Sequence, residues 1–308
     1  KARVSVNGWT TETDRQIGIL YGGNQLKPFT TYAVHVVAED NHAQKAEAET
    51  TFETGRMGLP WQAEWITDGN YRFTQKKASP EPMVFKKALA FDKPVKKACV
   101  ACTALGIYEL NINGDKIGKD YFTPGFTSYH HQMQYQVYDI TGCLRGNDTM
   151  TATVCGGWAV GNFTHSLRNR IFADRQAFLC EIRVEFTDGS TAVIGTDDTW
   201  KVTRQGVVTK AEFYDGEVFD ARVDLNQSVW TNASIEKVSF NPEFSVTYGE
   251  PVRAHEELRP QTITTLDDGS FIVDFGQNLA GVIKATFSHC TKGQTIVIKH
   301  AEVLMDGK

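Results

Sequence analysis

Apolar and polar residues alternate with a period of two along most of this chain, and almost nowhere with the period of a helix. Tyr108, Leu110 and Ile112 fall on one side of a stretch whose other side carries Glu109 and Asn111, the pattern of a half-buried strand. Asn113-Gly114 follows, a pair that tolerates positive φ and closes a two-residue hairpin. Beyond a loop containing Pro124-Gly125, Met133, Tyr135 and Val137 separate from Gln134 and Gln136, which predicts a second strand with its glutamines outward. The strongest alternation sets Phe178, Cys180, Ile182, Val184 and Phe186 against Leu179, Glu181, Arg183 and Glu185, and Asp188-Gly189 turns the chain back into 190–195. Further strands are expected at 83–89, 97–105 and 200–203. Only Asn169 to Ala177 offers spacing for two helical turns, and no helix is expected after the Gly156-Gly157 pair. Many short strands with Gly, Asn and Asp at the turns predict an all-β protein built from tandem β-sandwich domains.

Three segments emerge. In residues 1–56, Leu26, Pro28, Thr30 and Tyr32 lead into an alternating strand, and Ala46 to Thr54 supplies another. This Leu-x-Pro-x-Thr-x-Tyr run resembles fibronectin type III domains, in which such a tyrosine bonds back to nearby backbone. A complete domain of that kind needs about 100 residues, so a partial domain is expected. Gly55 to Pro60 has linker composition, and Trp61 and Trp65 open the next unit. Residues 61–248, at roughly 180 residues too long for an immunoglobulin fold, fit a jelly roll. Residues 249–308 begin a further sandwich, with strands expected at Phe271–Phe275, around Ile283–Phe287 and over Gln294–Val303, and a hairpin turn at Asp267-Asp268-Gly269. Both outer segments are expected to be parts of larger domains.

The 308 residues carry a net charge of −5, with no basic patch for nucleic acid and no run of like charges. The apolar runs are strand-length, so no membrane span is predicted. No leader sequence is visible, and the chain does not begin with Met. Compartment is left open among cytoplasm, periplasm and secretion. Six cysteines, at 99, 102, 143, 155, 180 and 290, are too sparse for a disulfide scaffold. Cys99 and Cys102 would face opposite sides of one strand and lack the second pair that zinc requires, so inert buried thiols are expected.

No nucleophile elbow, no His-Glu-x-x-His and no phosphate-binding loop occurs. His130-His131 is expected to be solvated. The densest acidic stretch holds Asp215, Glu217 and Asp220, followed by Arg222. These carboxylates can serve as general acid and base, as glycoside hydrolysis requires, or brace a sandwich end and contact a neighbouring domain. Aromatics near turns, namely Phe126, Tyr129, Trp158 and Phe163, are the stronger hint. Sugar rings offer apolar C–H faces for stacking while Asn and Asp bind hydroxyls, so Trp158 with Asn162, flanked by Phe126 and Tyr129, forms a candidate carbohydrate site. The alternative is a Trp158 packed between the sheets.

The run Ala104 to Leu110 with Asn113-Gly114, then Asp120 to Tyr129, Tyr135 to Thr141 and Gly157-Trp158, resembles the N-terminal β-sandwich domain of bacterial α-L-rhamnosidases of glycoside hydrolase family 78. Tyr214 to Glu217 and Asp220 to Arg222 resemble the end of that domain, and Asp274 to Gly281 with His300 to Leu304 the start of the next. The resemblance implies inverting hydrolysis of terminal α-L-rhamnosides in a downstream (α/α)₆ barrel, by two carboxyls about 6.5–9.5 Å apart. No catalytic residue and no metal ligand of this chain can be assigned from it. Implied partners are a rhamnose-containing glycan and the enzyme's own barrel. Some members bind rhamnose with calcium on a jelly roll, a site that cannot be matched here residue by residue. A stand-alone carbohydrate-binding module is the alternative.

Overall fold

The computed structural model describes residues 2–15 and 17–304. They form two compact units, Lys1–Pro251 and Val252–Lys308. The protein is almost entirely β, and its α-helix among the described residues is the single turn Gly157–Val160.

The chain begins with a four-stranded sheet in the order Trp9–Thr13, Ala2–Val6, Thr31–Glu39, Lys45–Glu53. Tyr32 is buried there, and its hydroxyl accepts the backbone N–H of Lys27 at 2.7 Å. This bond back to nearby backbone is the one anticipated for the tyrosine.

Two larger sheets pack face to face. One has seven strands, led through Ser234–Ile235, Ile66–Thr67, Ala177–Phe186, Val95–Leu105, Gln132–Asp139 and Glu243–Val246, with Thr191–Gly195 beside Ala177–Phe186. The other has six, in the order Thr231–Asn232, Lys201–Thr203, Met83–Ala90, Asn147–Cys155, Ile107–Ile112, Asp115–Lys116. Side chains such as Phe85, Leu110, Met150, Phe178, Ile182 and Trp200 fill the space between them, each contributing roughly 1.5–3 kcal/mol by burial. The hairpin at Asn113-Gly114 forms as expected, with φ of 54° and 87°, and the Cβ-free Gly114 meets the second value without strain.

The pattern misleads on one strand. Gln136 points into the sandwich, not outward. Its Oε1 accepts the Tyr108 hydroxyl at 2.6 Å, and its Nε2 donates to Pro124 O at 3.0 Å and to Thr247 Oγ1 at 2.7 Å. A buried amide with its bonds satisfied is tolerated inside. Met133 and Tyr135 take the outer face, where Met133 joins a second apolar cluster with Phe73, Leu105, Tyr129, Ala159, Val160 and Ala177, and Tyr135 packs against Trp61. The strand Ala177–Phe186 is therefore buried on both faces, and alternation reported only one of them.

The segment expected to be a linker is a lock. Arg56 is buried, its backbone N–H donates to Tyr135 Oη at 2.7 Å, and its guanidinium lies 3.9 Å over the Trp61 ring. Nη1 stands 3.0 Å from Glu181 Oε1 without the alignment of a hydrogen bond, so this is an ion pair in contact, with both side chains at most 3% exposed. Glu181 also accepts Gln62 N at 2.7 Å and Arg183 Nε at 2.7 Å. Burial lowers the Arg56 pKa and Glu181 opposes that effect.

Among its described residues the second unit holds one hairpin, Thr262–Thr265 with Phe271–Asp274, whose turn includes the expected Asp267-Asp268-Gly269. The strands expected around Ile283 and over Gln294–Val303 are not formed, and these residues are exposed. Alternation there has no partner strand to pair with. The helical turns expected at Asn169–Ala177 are also absent. Arg170 sits at φ 53°, and that stretch spends its N–H groups on distant carbonyls, Arg170 N to Val160 O at 3.0 Å and Phe172 N to Ala159 O at 3.2 Å.

Candidate aromatic and carboxylate face

The strand Asn147–Cys155 delivers the chain to Gly156, and the helical turn Gly157–Val160 follows, where no helix was expected. Gly157 has φ 52°, and a Cβ there would stand 2.7 Å from Ile107 Cγ1, so only glycine fits. The turn sinks Ala159 and Val160 into the outer apolar cluster and leaves Trp158 half-buried above them.

Trp158 stacks on Phe213, with ring centroids 4.2 Å apart and planes 28° from parallel. Phe126 lies 5.8 Å from Trp158 and 5.3 Å from Phe163, and is 50% exposed. Phe122 extends the row, 5.2 Å from Phe213. Aromatic pairs at these distances stabilise one another by about 0.5–1.5 kcal/mol beyond their burial. The expected residues do not all reach this surface. Tyr129 is fully buried; its hydroxyl donates to Gly125 O at 2.8 Å and its ring rests 5.1 Å from Phe172, so it supports the face from beneath. His130 and His131 are both exposed, as expected, and the His130 ring also lies 4.8 Å from Phe240 and 5.4 Å from Phe172.

Asn162 is also buried. Its backbone N–H donates to Glu212 Oε2 at 2.9 Å, its Nδ2 to Asp215 Oδ2 at 3.2 Å, and its Oδ1 has no hydrogen-bond partner. Glu212 is buried beside it and takes Phe213 N on Oε1 at 2.8 Å. Burial pushes the Glu212 pKa up, Asp215 adds to the rise, and the two backbone N–H donors hold it back. The acidic stretch folds as a hairpin, Val208–Glu212 with Gly216–Phe219, that carries Glu217 exposed on its second strand. Both Asp220 oxygens accept from Arg222, at 2.7 Å each, which holds the Asp220 pKa down to about 2 and keeps it ionised, unsuited to act as a general acid.

Phe213 and Glu212 were not legible as site residues, since each lies about fifty positions from its partners and no local spacing marks that distance. The arrangement combines an apolar aromatic face with a carboxylate, a buried carboxyl and an amide at its edge. Such a face can stack a pyranose ring and accept its hydroxyl protons. Among the described residues no three His, Cys, Asp or Glu side chains converge as metal ligands. Cys99 and Cys102 lie buried, their thiols pushed up to about 11 and about 12 by desolvation, so neither is a reactive thiolate.

Residues 93–263 match the family model for the alpha-L-rhamnosidase N-terminal domain, and residues 264–308 match the bacterial alpha-L-rhamnosidase concanavalin-like domain. The chain belongs to the α-L-rhamnosidase family. It is 33% identical over 223 residues to an alpha-L-rhamnosidase of Streptomyces avermitilis, covering 69% of this chain and 21% of that protein. It is 28% identical over 287 residues to one from Formosa agariphila, covering 86% and 30%. The native α-L-rhamnosidase of Aspergillus terreus superposes with a TM-score of 0.76 at 25% identity, covering 90% of this rhamnosidase chain and 34% of that structure. The chain thus spans between 21% and 35% of the length of the curated rhamnosidases it matches. Among the described residues no helix is long and apolar enough to cross a membrane.

Proposed function

We propose that these residues form the non-catalytic β-sandwich region of a glycoside hydrolase that releases terminal α-L-rhamnose by inversion, the chemistry residing in other parts of the rhamnosidase. Residues 1–56 would serve as a partial fibronectin-like unit, 61–248 as the jelly roll and 249–308 as the start of the next sandwich. The observation that carries this is the family match over 93–263 in a chain that spans only part of its relatives. In support, the described residues hold no helical barrel. The purified 308-residue chain is expected to show no turnover of an aryl α-L-rhamnoside. Robust turnover, lost in Glu217→Gln, would overturn the proposal.

A second role is favoured by the Trp158–Phe213 stack with the half-exposed Phe126 beside it. This face would hold a rhamnose-containing glycan, with Asp215 taking hydroxyl protons. Calorimetry with L-rhamnose should show binding that falls at least about tenfold in Trp158→Ala, the loss typical of a central aromatic anchor. Unchanged affinity in that variant would remove the role.

A further inference from the structure

The hairpin Val208–Glu212 with Gly216–Phe219 pairs with neither large sheet. Hydrogen bonds from Asn162 to Glu212 and Asp215 tie it to the sandwich, and the one to Glu212 is the shorter. The Glu212 carboxylate bridges two backbones. Its Oε2 accepts the Asn162 N–H at 2.9 Å, and its Oε1 accepts the Phe213 N–H at 2.8 Å. Asn162 lies just past the turn that carries Trp158, and Phe213 bears the ring on which Trp158 stacks. Ser79 Oγ, at 3.2 Å, is a longer second acceptor for the Asn162 N–H. A Cβ on Gly161 would collide with Glu212 Oε2, so the bare backbone at 161 is what admits the carboxylate. Glu212 is only 8% exposed.

We infer that Glu212 is a positioning residue for the aromatic face: by holding the Asn162 and Phe213 backbones on one carboxylate, it sets the stack of Trp158 on Phe213. A carboxylate accepts both N–H groups at once. A glutamine turns an NH₂ group toward one of them, and a protonated carboxyl places its own hydrogen on one of the two oxygens. Either change frees one segment from the other. Burial and Asp215 raise the Glu212 pKa, while the two backbone donors and Lys210 hold it back. The neighbouring Cys155 thiol, pushed up to about 12 by burial and by Glu217, Glu212 and Glu109, stays uncharged. The face's use in holding a glycan rests on the sugar-binding reading above; the clamp itself does not.

Fluorine NMR of the full chain labelled with fluorotryptophan tests the clamp without any ligand. The Trp158 signal is the one of six lost in Trp158→Phe. It should shift or broaden in Glu212→Gln at neutral pH, and the other five should stay in place, which shows that the sandwich is intact. On acidification of the parent protein the same signal should move, with its midpoint above the ordinary glutamate range. Asp215→Asn should lower that midpoint and Lys210→Met should raise it, because each removes a charge acting on Glu212. Gly161→Ala should reproduce the Glu212→Gln signal by displacing the carboxylate. L-rhamnose binding should weaken about tenfold in Glu212→Gln, the size of one charge-assisted contact. A parent protein that binds no rhamnose removes the sugar reading and leaves the clamp to be decided by the Trp158 signal. An unmoved Trp158 signal in Glu212→Gln, an acid response that persists in that variant, or unchanged rhamnose affinity in it where the parent binds would overturn the inference.

Discussion

Glu181→Ala is expected to destabilise the protein by about 3–5 kcal/mol, the usual cost of leaving one member of a buried ion pair alone. Glu181 is fully buried and receives three contacts, from Arg56 Nη1, Arg183 Nε and the Gln62 backbone. Removing it strands the Arg56 guanidinium between Trp61 and the sheet, where burial already lowers its pKa. In thermal unfolding the loss amounts to roughly 10 °C. The same change should expose 55–60 to proteases, since Arg56 is what holds that segment down. The converse comparison is informative. An Arg56→Met, Glu181→Met double substitution should recover most of the stability, because replacing both charges with apolar groups removes the desolvation cost along with the attraction. A single Glu181→Ala that lowers stability by less than about 1 kcal/mol would mean that water reaches the pair in solution.

Phe178→Ala is expected to cost a similar amount, about 3–5 kcal/mol, by a different route. Phe178 is completely buried and meets three other rings, Phe85 at 5.9 Å, Tyr108 at 5.8 Å and Trp200 at 6.2 Å. Phe178 belongs to the seven-stranded sheet, whereas Phe85 and Tyr108 belong to the six-stranded sheet facing it, so the void left by truncation cannot close without moving one sheet against the other. Phe178→Leu should lose less than half as much. Denaturant unfolding should show a lowered midpoint with an unchanged slope, and 55–60 should stay protected from proteases, in contrast to Glu181→Ala. A Phe178→Ala variant within about 1 kcal/mol of the parent would contradict the packing described.

These two residues also show how far alternation can be read. It identified Phe178 as core and the strand around it as the best in the chain. It placed Glu181 on the outward face, which is correct as geometry, but outward there means under Arg56 and Trp61. A periodicity of two says which residues share a face and nothing about what covers that face. The same limit explains Gln136, assigned outward when it bonds Tyr108 inside, and the unformed strands beyond Ile283, whose pattern has no neighbour to pair with. Asn113-Gly114 and Asp267-Asp268-Gly269 were legible because a turn is decided by its own residues. At the candidate site, Trp158 and Phe126 were found from composition near turns. Phe213 and Glu212 were not, because what brings them to Trp158 and Asn162 is the packing of a hairpin distant in sequence.

One consequence follows from the lock around Tyr135. The strand that receives Arg56 on the Tyr135 hydroxyl also pairs in parallel with Glu243–Val246, through Tyr135 opposite Val246. A methyl group on Gly55 would stand 3.1 Å from Val246 Cβ. The backbone thus arrives at the sandwich and departs from it at a single point. The nearly two hundred residues between form a closed excursion, and joining Gly55 to Val246 by a short bridge would convert the sandwich into a ring that can be reopened at any exposed turn. Asp188-Gly189 is such a turn, exposed and between paired strands. Circular permutation there should keep the sheet order intact, because the sandwich is topologically an insertion whose ends already meet.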